Sequence, residues 1–252
     1  MKAIINGRDV ELKTEKTILE LAEEMDIEIP TLCHHGGLEP YGACRLCIVE
    51  IEKNGRRELD TSCTRYVEDG MKIRTETEEI IEKRKVIAEL LLARAPESKK
   101  LQKKLEDLGV TETEFTARDY DCVLYCGKCV RACKEEVGIG AINFVGRGYE
   151  TEVDTPFSID SDVCIGCGAC AEVCPTGAIE VDDEGSTRYI RYFNTTLELK
   201  ECRECGDFFS TERMIERLKA EEEFSSFAEE YFDLCEKCRR NKEMSKFLEV
   251  KQ

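Results

Sequence analysis

The sequence predicts an α+β chain made of four small modules rather than one large core. Three observations carry this. Sixteen cysteines fall into separated groups along 252 residues. Strand-and-turn signals dominate the first part of the chain. Helical periodicity then takes over before a glycine- and cysteine-dense stretch begins. A chain of this length fits two or three small domains better than one. The expected modules are 1–76, a β-grasp unit; 77–118, a helical spacer; 119–184, the cysteine-dense segment; and 185–252, a small cysteine-bound module with a helical tail.

Each element has a local reason. Lys2 to Asn6 and Val10 to Leu12 form a hairpin that turns at Gly7. Thr17 and Glu20 have capping-box spacing, and Ile18, Leu21, Ala22 and Met25 make one apolar helical face that Pro30 should end. Leu46 to Ile51 and Arg57 to Asp60 flank Asn54-Gly55, a strong hairpin signal. Met71 to Arg74 supplies a last strand. Thr75 with Glu78 should open a helix carrying Ile80, Ile81, Ile87, Leu90 and Leu91; Pro96 interrupts it. Leu101, Leu105 and Leu108 mark a second helix stopped by Gly109. Arg188 to Phe193 and Thr195 to Lys200 read as strands. Helix returns around Met214, Ile215 and Leu218, and again around Phe247 and Leu248.

Composition narrows the function classes. Eight disulfides would need a secretory leader, and Met1 to Arg8 is a strand-like start without an apolar run. Val86 to Ala93, the strongest apolar run, contains Glu89 and is too short to span a bilayer. The chain is therefore expected to be cytoplasmic, where clustered cysteines bind metal. A net charge of −17 repels nucleic acid. Lys99, Lys100, Lys103 and Lys104, like the acidic run Glu221-Glu222-Glu223, read as solvated helix surface.

Cys164, Cys167, Cys170 and Cys174, followed by Pro175, form the C-x2-C-x2-C-x3-C-P run of bacterial ferredoxins. Three thiolates at this spacing can wrap one iron–sulfur cube, while Gly166 and Gly168 permit close backbone approach. The fourth cysteine then serves a neighbouring cluster. An upstream run supplies that neighbour: Cys122, Cys126, Cys129 and Cys133. One [4Fe–4S] cluster is thus assigned to Cys122, Cys126, Cys129 and Cys174, and a second to Cys133, Cys164, Cys167 and Cys170. The upstream run departs from the pattern, with three residues between its first two cysteines and Lys134 in place of proline. Two four-cysteine zinc sites are the plainer alternative, but zinc sites pair C-x2-C hairpins instead of interleaving long runs.

Cys33, Cys44, Cys47 and Cys63 have C-x10-C-x2-C-x15-C spacing. With Pro30-Thr31-Leu32-Cys33-His34 and Gly42-Ala43-Cys44-Arg45-Leu46-Cys47, the region resembles the N-terminal [2Fe–2S] domain of the large peripheral-arm iron–sulfur subunit of respiratory complex I. Matching subunits of NAD(P)-linked hydrogenases, formate dehydrogenases and electron-bifurcating flavin complexes share it. The resemblance spans roughly 1–182 and implies one [2Fe–2S] cluster on these four cysteines. It breaks between Cys63 and Cys122, where such relatives carry a His and three cysteines for a further cluster and this chain has neither residue. His34 and His35, the two histidines, are read as cluster neighbours or surface rather than ligands.

Cys202-Arg203-Glu204-Cys205 and Cys235-Glu236-Lys237-Cys238 are two C-x2-C hairpins, the first after a strand and before Phe208-Phe209. Four thiolates suit a structural Zn2+ in a zinc-ribbon-like module; a further iron–sulfur cluster is the alternative. Glycine pairs such as Gly138 and Gly140 sit between cluster motifs and not in a dinucleotide fingerprint. With no catalytic set apparent, the chain is expected to be a non-catalytic electron-transfer subunit of a multisubunit oxidoreductase. The resemblance implies partners: a flavoprotein subunit that binds NAD(P), a further redox subunit, and ferredoxin if the complex bifurcates electrons. A free-standing polyferredoxin carrier is the alternative.

Overall fold

The structure, a computed structural model, describes residues 1–118, 120–224 and 226–249, with side chains to 245. Asp119, at the expected start of the cysteine-dense segment, and the side chains of Phe247 and Leu248 lie outside the described residues. The chain forms two compact units: Met1–Arg131 with Val173–Ala178, and Ala132–Glu172 with the chain from Ile179 onward.

In the first unit, β1 (Lys2–Ile5) and β2 (Arg8–Glu11) pair across Asn6 and Gly7, both at positive φ (49° and 80°), as a two-residue hairpin turn requires. Helix α1 (Ile18–Glu24) opens with the predicted Thr17–Glu20 capping box and buries Ile18, Leu19, Leu21 and Ala22. It ends well before Pro30, because Asp26 turns to φ 55°. The hairpin β3 (Ile48–Lys53) and β4 (Arg56–Thr61) turns at Asn54-Gly55, and β5 (Met71–Arg74) follows. The sheet order is β2-β1-β5-β3-β4, with β1 and β5 parallel and the other pairs antiparallel. Ala3, Ile5, Val49, Ile51, Met71 and Ile73 pack with the apolar face of α1 into one core.

Helix α2 (Glu78–Arg94) starts at Thr77, whose hydroxyl accepts from the Ile80 amide, and not at Thr75 as the spacing suggested. Thr75 is instead buried and exchanges hydrogen bonds with the Asn6 side chain, its amide donating to Oδ1 (2.9 Å) and its hydroxyl accepting from Nδ2 (2.8 Å). Ser98 caps α3 (Lys99–Glu106), which buries Leu101 and Leu105 fully and ends before Gly109 at φ 74°. These leucines join Ala88, Leu91, Leu92, Leu32, Leu46 and Val123 in a second core that also holds Cys33, Cys44 and Cys126. The short helix α4 (Lys128–Arg131) completes this unit.

The second unit opens with a π-turn, Ala132–Glu136, and a ribbon of β6 (Asn143–Val145) and β7 (Glu152–Asp154). After the one-turn α5 (Ala169–Glu172) comes a four-stranded antiparallel sheet of β8 (Val181–Glu184), β9 (Thr187–Ile190), β10 (Thr195–Glu201) and β11 (Phe208–Thr211). β9 is shorter than expected: Arg191–Phe193 form a 3-10 turn, and Asn194 at φ 48° reverses the chain. β8 carries no apolar alternation. Ion pairs from Arg188 to Asp183 (2.8 Å) and Arg191 to Asp182 (2.6 Å) join it to the segment after it. Thr211 caps α6 (Glu212–Ala220), and α7 (Glu236–Glu249) begins inside the second C-x2-C. No helix among the described residues is long and apolar enough to cross a membrane.

Candidate metal centres

Pairing β3 with β4 brings the loop before β3 against the residue after β4. Cys44 and Cys47 lie on that loop, Cys63 follows β4, and Cys33 reaches the same place from the segment after α1; all four are buried. The Cys33 amide donates to Cys44 Sγ (3.4 Å), and the sulfurs of Cys47 and Cys63 are 3.4 Å apart. Hydrogen bonds from Cys44 and Cys63 hold the Cys33 thiol far below its ordinary value, and one from Cys63 lowers Cys47 to about 6. Cys44, hydrogen-bonded to Cys33, and Cys63, hydrogen-bonded to Cys33 and Cys47, are pushed up. A metal-free quartet therefore shares its protons unevenly, and cationic iron would displace those that remain. His34 Nδ1, beside Cys33, is buried without a partner. The donor set fits a [2Fe–2S] cluster.

The same unit gathers Cys122, Cys126, Cys129 and Cys174, all buried. Burial pushes the Cys126 thiol up to about 12, and the charges of Cys122 and Cys174 add to it. The Leu124 amide donates to Cys122 Sγ (3.2 Å), and the Thr176 hydroxyl lies 3.4 Å from Cys174 Sγ. The second unit gathers the other set. Cys133, Cys164, Cys167 and Cys170 line one pocket, closed by apolar side chains such as Ile139, Ile165 and Phe193. Burial, then the charges of the other three cysteines, drives Cys170 up to about 12. The outward carbonyls of this loop are tied down: Thr211 donates to Ile165 O, Arg188 to Gly166 O (2.8 Å) and Arg213 to Cys164 O (3.2 Å). Each unit thus holds three cysteines of one run and the fourth of the other, the exchange a two-cluster ferredoxin needs.

Cys202 and Cys205 sit in the β10–β11 turn; Cys235 and Cys238 open α7. Among the described residues, these four are the one set of His, Cys, Asp or Glu ligand atoms converging within 4.8 Å of one another. Cys205 and Cys235 sulfurs are 3.7 Å apart, close to the ~3.8 Å edge of a tetrahedron with Zn–S bonds of ~2.3 Å. An iron–sulfur cube places irons and sulfides between its thiolates and needs a wider cage. Burial opposes ionisation of Cys202, but amides including that of Cys235 (3.3 Å) lower it to about 6. The two C-x2-C elements are unlike: one is a hairpin turn, the other a helix start.

Sequence reasoning missed the cations that support these loops. Arg84 Nη2 donates to Ile48 O (2.7 Å), one residue past Cys47, and Arg131 donates to carbonyls of two cysteine loops. The signal for Arg84 was present as a cation on the Ile80–Ala88–Leu91 face of α2.

Residues 2–78 match the family described as "2Fe-2S iron-sulfur cluster binding domain", and residues 157–180 match "4Fe-4S binding domain". The fold and these matches define an iron–sulfur protein that joins a 2Fe-2S domain to a 4Fe-4S ferredoxin segment. Its homologues are subunits of NAD(P)-linked oxidoreductases. The chain is 35% identical over 207 residues to an NADH-quinone oxidoreductase subunit of Rhizobium meliloti, covering 71% of this chain and 24% of that one. It is 36% identical over 202 residues to NADPH-Fe(3+) oxidoreductase subunit alpha of Geobacter sulfurreducens, covering 69% and 23%. It is 31% identical over 207 residues to NADP-reducing hydrogenase subunit HndD of Solidesulfovibrio fructosivorans, covering 69% and 35%. The chain thus spans a quarter to a third of these relatives. Among solved structures, an NAD+-reducing [NiFe]-hydrogenase in its H2-reduced state is similar with a TM-score of 0.59 at 26% identity, covering 70% of this chain and 85% of that one.

Proposed function

We propose that this chain is the iron–sulfur electron-relay subunit of a cytoplasmic multisubunit oxidoreductase linked to NAD(P). The exchange of cysteines between the two runs carries the reading. Cys174 joins Cys122, Cys126 and Cys129, and Cys133 joins Cys164, Cys167 and Cys170, an arrangement with a purpose in a pair of cubes and none in separate zinc sites. Cys33, Cys44, Cys47 and Cys63 would hold a [2Fe–2S] cluster on a β-grasp unit. Bound at these places, the clusters supply one-electron chemistry. The chain's own residues exclude water, supply thiolates and set potentials through amides and cations near the sulfurs. Cys202, Cys205, Cys235 and Cys238 would hold one Zn2+ with no open coordination position, so its role is to fold the module around it.

The named relatives support a hetero-oligomer with a flavoprotein subunit and a further redox subunit. Ferredoxin is a third partner if the complex bifurcates electrons. The test is anaerobic purification with metal and sulfide analysis. About ten iron atoms and one zinc per chain are expected, with reduced-state EPR signals of both cluster types. A colourless chain with about four zinc ions overturns the reading. Co-purification with a flavin protein supports the subunit role; a monomeric brown protein would make it a free carrier.

A further inference from the structure

We infer that Arg131 is the electrostatic link between the [2Fe–2S] loop and the four-iron loop of the first unit. It sets the potentials of both centres and bridges their backbones. The inference rests on the ligation proposed above for the Cys33 and Cys126 sets.

Arg131 ends α4 and is 8% exposed. Its Nη1 donates to Glu39 O (2.6 Å); its Nη2 donates to Cys33 O (2.6 Å) and, more weakly, to Cys126 O (3.4 Å). The guanidinium carbon stands 4.8 Å from the centre of the Tyr41 ring. All these partners are neutral, and among the described residues no carboxylate pairs with Arg131. A guanidinium cannot shed its charge, so burying one without an anion is costly. With clusters bound at the Cys33 and Cys126 sets, their thiolates would supply the compensating negative charge. One side chain thus touches the carbonyl of a ligand from each set.

Lys128 lies one turn earlier on the same helix, so α4 carries a second cation beside the cysteine loops. Adding an electron to either site adds negative charge, and a fixed cation nearby stabilises the reduced form. When an electron passes between the centres, one is oxidised and the other reduced by a single electron. Arg131 exchanges neither electron nor proton. Its hydrogen bonds replace a through-space gap with a bonded route from Cys33 O to Cys126 O.

The experiment is an EPR-monitored redox titration of the full chain, with dithionite as reductant, for wild type, R131Q and R131K. R131Q keeps a donor for one carbonyl and loses the charge. Both first-unit clusters should become harder to reduce, by about tenfold in the reduction equilibrium, or ~59 mV for one electron. R131K keeps the charge and should stay near wild type. If R131Q loses iron while R131K stays loaded at wild-type potentials, charge is still the property required and the inference stands. Wild-type potentials in loaded R131Q, or loss of iron from both variants, overturn it. Absence of the two cluster signals from wild type would instead end the proposed function itself.

Discussion

A Cβ added to Gly166 would stand 2.7 Å from Cγ2 of Thr211, closer than such atoms approach. Thr211 is fully buried and has two duties. Its hydroxyl accepts from the Met214 amide (3.1 Å) to cap α6, and it donates to Ile165 O, pinning the ferredoxin loop. Gly166 is therefore glycine for two reasons: its φ of +69° and the threonine methyl packed against it.

Gly168 separates these reasons. Its φ is +78°, but a Cβ there meets nothing within 4 Å. Gly168→Ala should cost only the left-handed backbone penalty, about 1–2 kcal/mol. Gly166→Ala should cost more and reduce iron content. Thr211→Ser removes the methyl and keeps the capping hydroxyl, so it should rescue part of the Gly166→Ala loss. Thermal unfolding with iron analysis decides it; equal effects of the two alanines would refute the packing argument.

Glu50 predicts a pH dependence in the first unit. It sits on β3, opposite Arg74 of β5, is 3% exposed, and accepts hydrogen bonds from both Arg57 and Arg74. Burial alone would raise its carboxyl, but the two guanidinium hydrogen bonds outweigh it and hold the group below its ordinary 4.5. A depressed folded-state value means stability that is fully present above 4.5 and is lost as pH falls through the lowered value. Glu50→Gln should cost roughly 1.5–3 kcal/mol near neutrality, the worth of hydrogen bonds to a charged group. That difference should shrink as the solution is acidified. Urea unfolding of both proteins across that range checks it, and a constant gap would contradict the assignment.

The carboxy-terminal module predicts dependence on its metal. The described apolar cluster beside it consists of Cys202, Leu234, Cys235 and Cys238, with Phe209 packed against them, so most of it is made of ligands. β10 and β11 keep their strand pairing, but little else would hold α7 to their turn once the thiolates lose their ion. Cys205→Ser, or chelation of wild type, should release one zinc and open the segment from Leu199 onward to protease. The iron count should stay unchanged. Iron released in place of zinc, or an equally protected segment, would count against a structural zinc.

What could be read in the sequence was whatever local chemistry decides. The Thr17–Glu20 capping box and the Asn54-Gly55 turn need only their neighbours, and both formed as expected. The start of α2 did not. Thr75 and Thr77 both have capping chemistry, and the choice was made by Asn6, 69 residues away, whose side chain takes Thr75. β8 escaped because it carries no apolar alternation; its backbone pairs with β9, and ion pairs from Arg188 and Arg191 add to that ladder. The cysteine groups were legible because their spacing is chemical. Arg84 and Arg131 were not, because each is defined by carbonyls of loops distant in sequence.

Those groups give the sharpest test of the exchanged cysteines. Cys174 shares its unit with Cys122, Cys126 and Cys129, whereas Cys164 shares a pocket with Cys133, Cys167 and Cys170. If each set holds one cube, Cys174→Ser and Cys122→Ser strike the same site. The double variant should then lose no more iron than either single one, about four atoms. Cys174→Ser and Cys164→Ser strike different sites, so that pair should lose about eight. Ligation within each run predicts the reverse, because Cys164 and Cys174 would then share a cube and Cys122 would not. Thiolate-to-hydroxyl changes at near-constant volume keep the packing of the loops, so non-additivity reports a shared cluster instead of general unfolding. Iron counting on the three single and two double variants, with EPR of the surviving cluster, distinguishes the two arrangements in a single series.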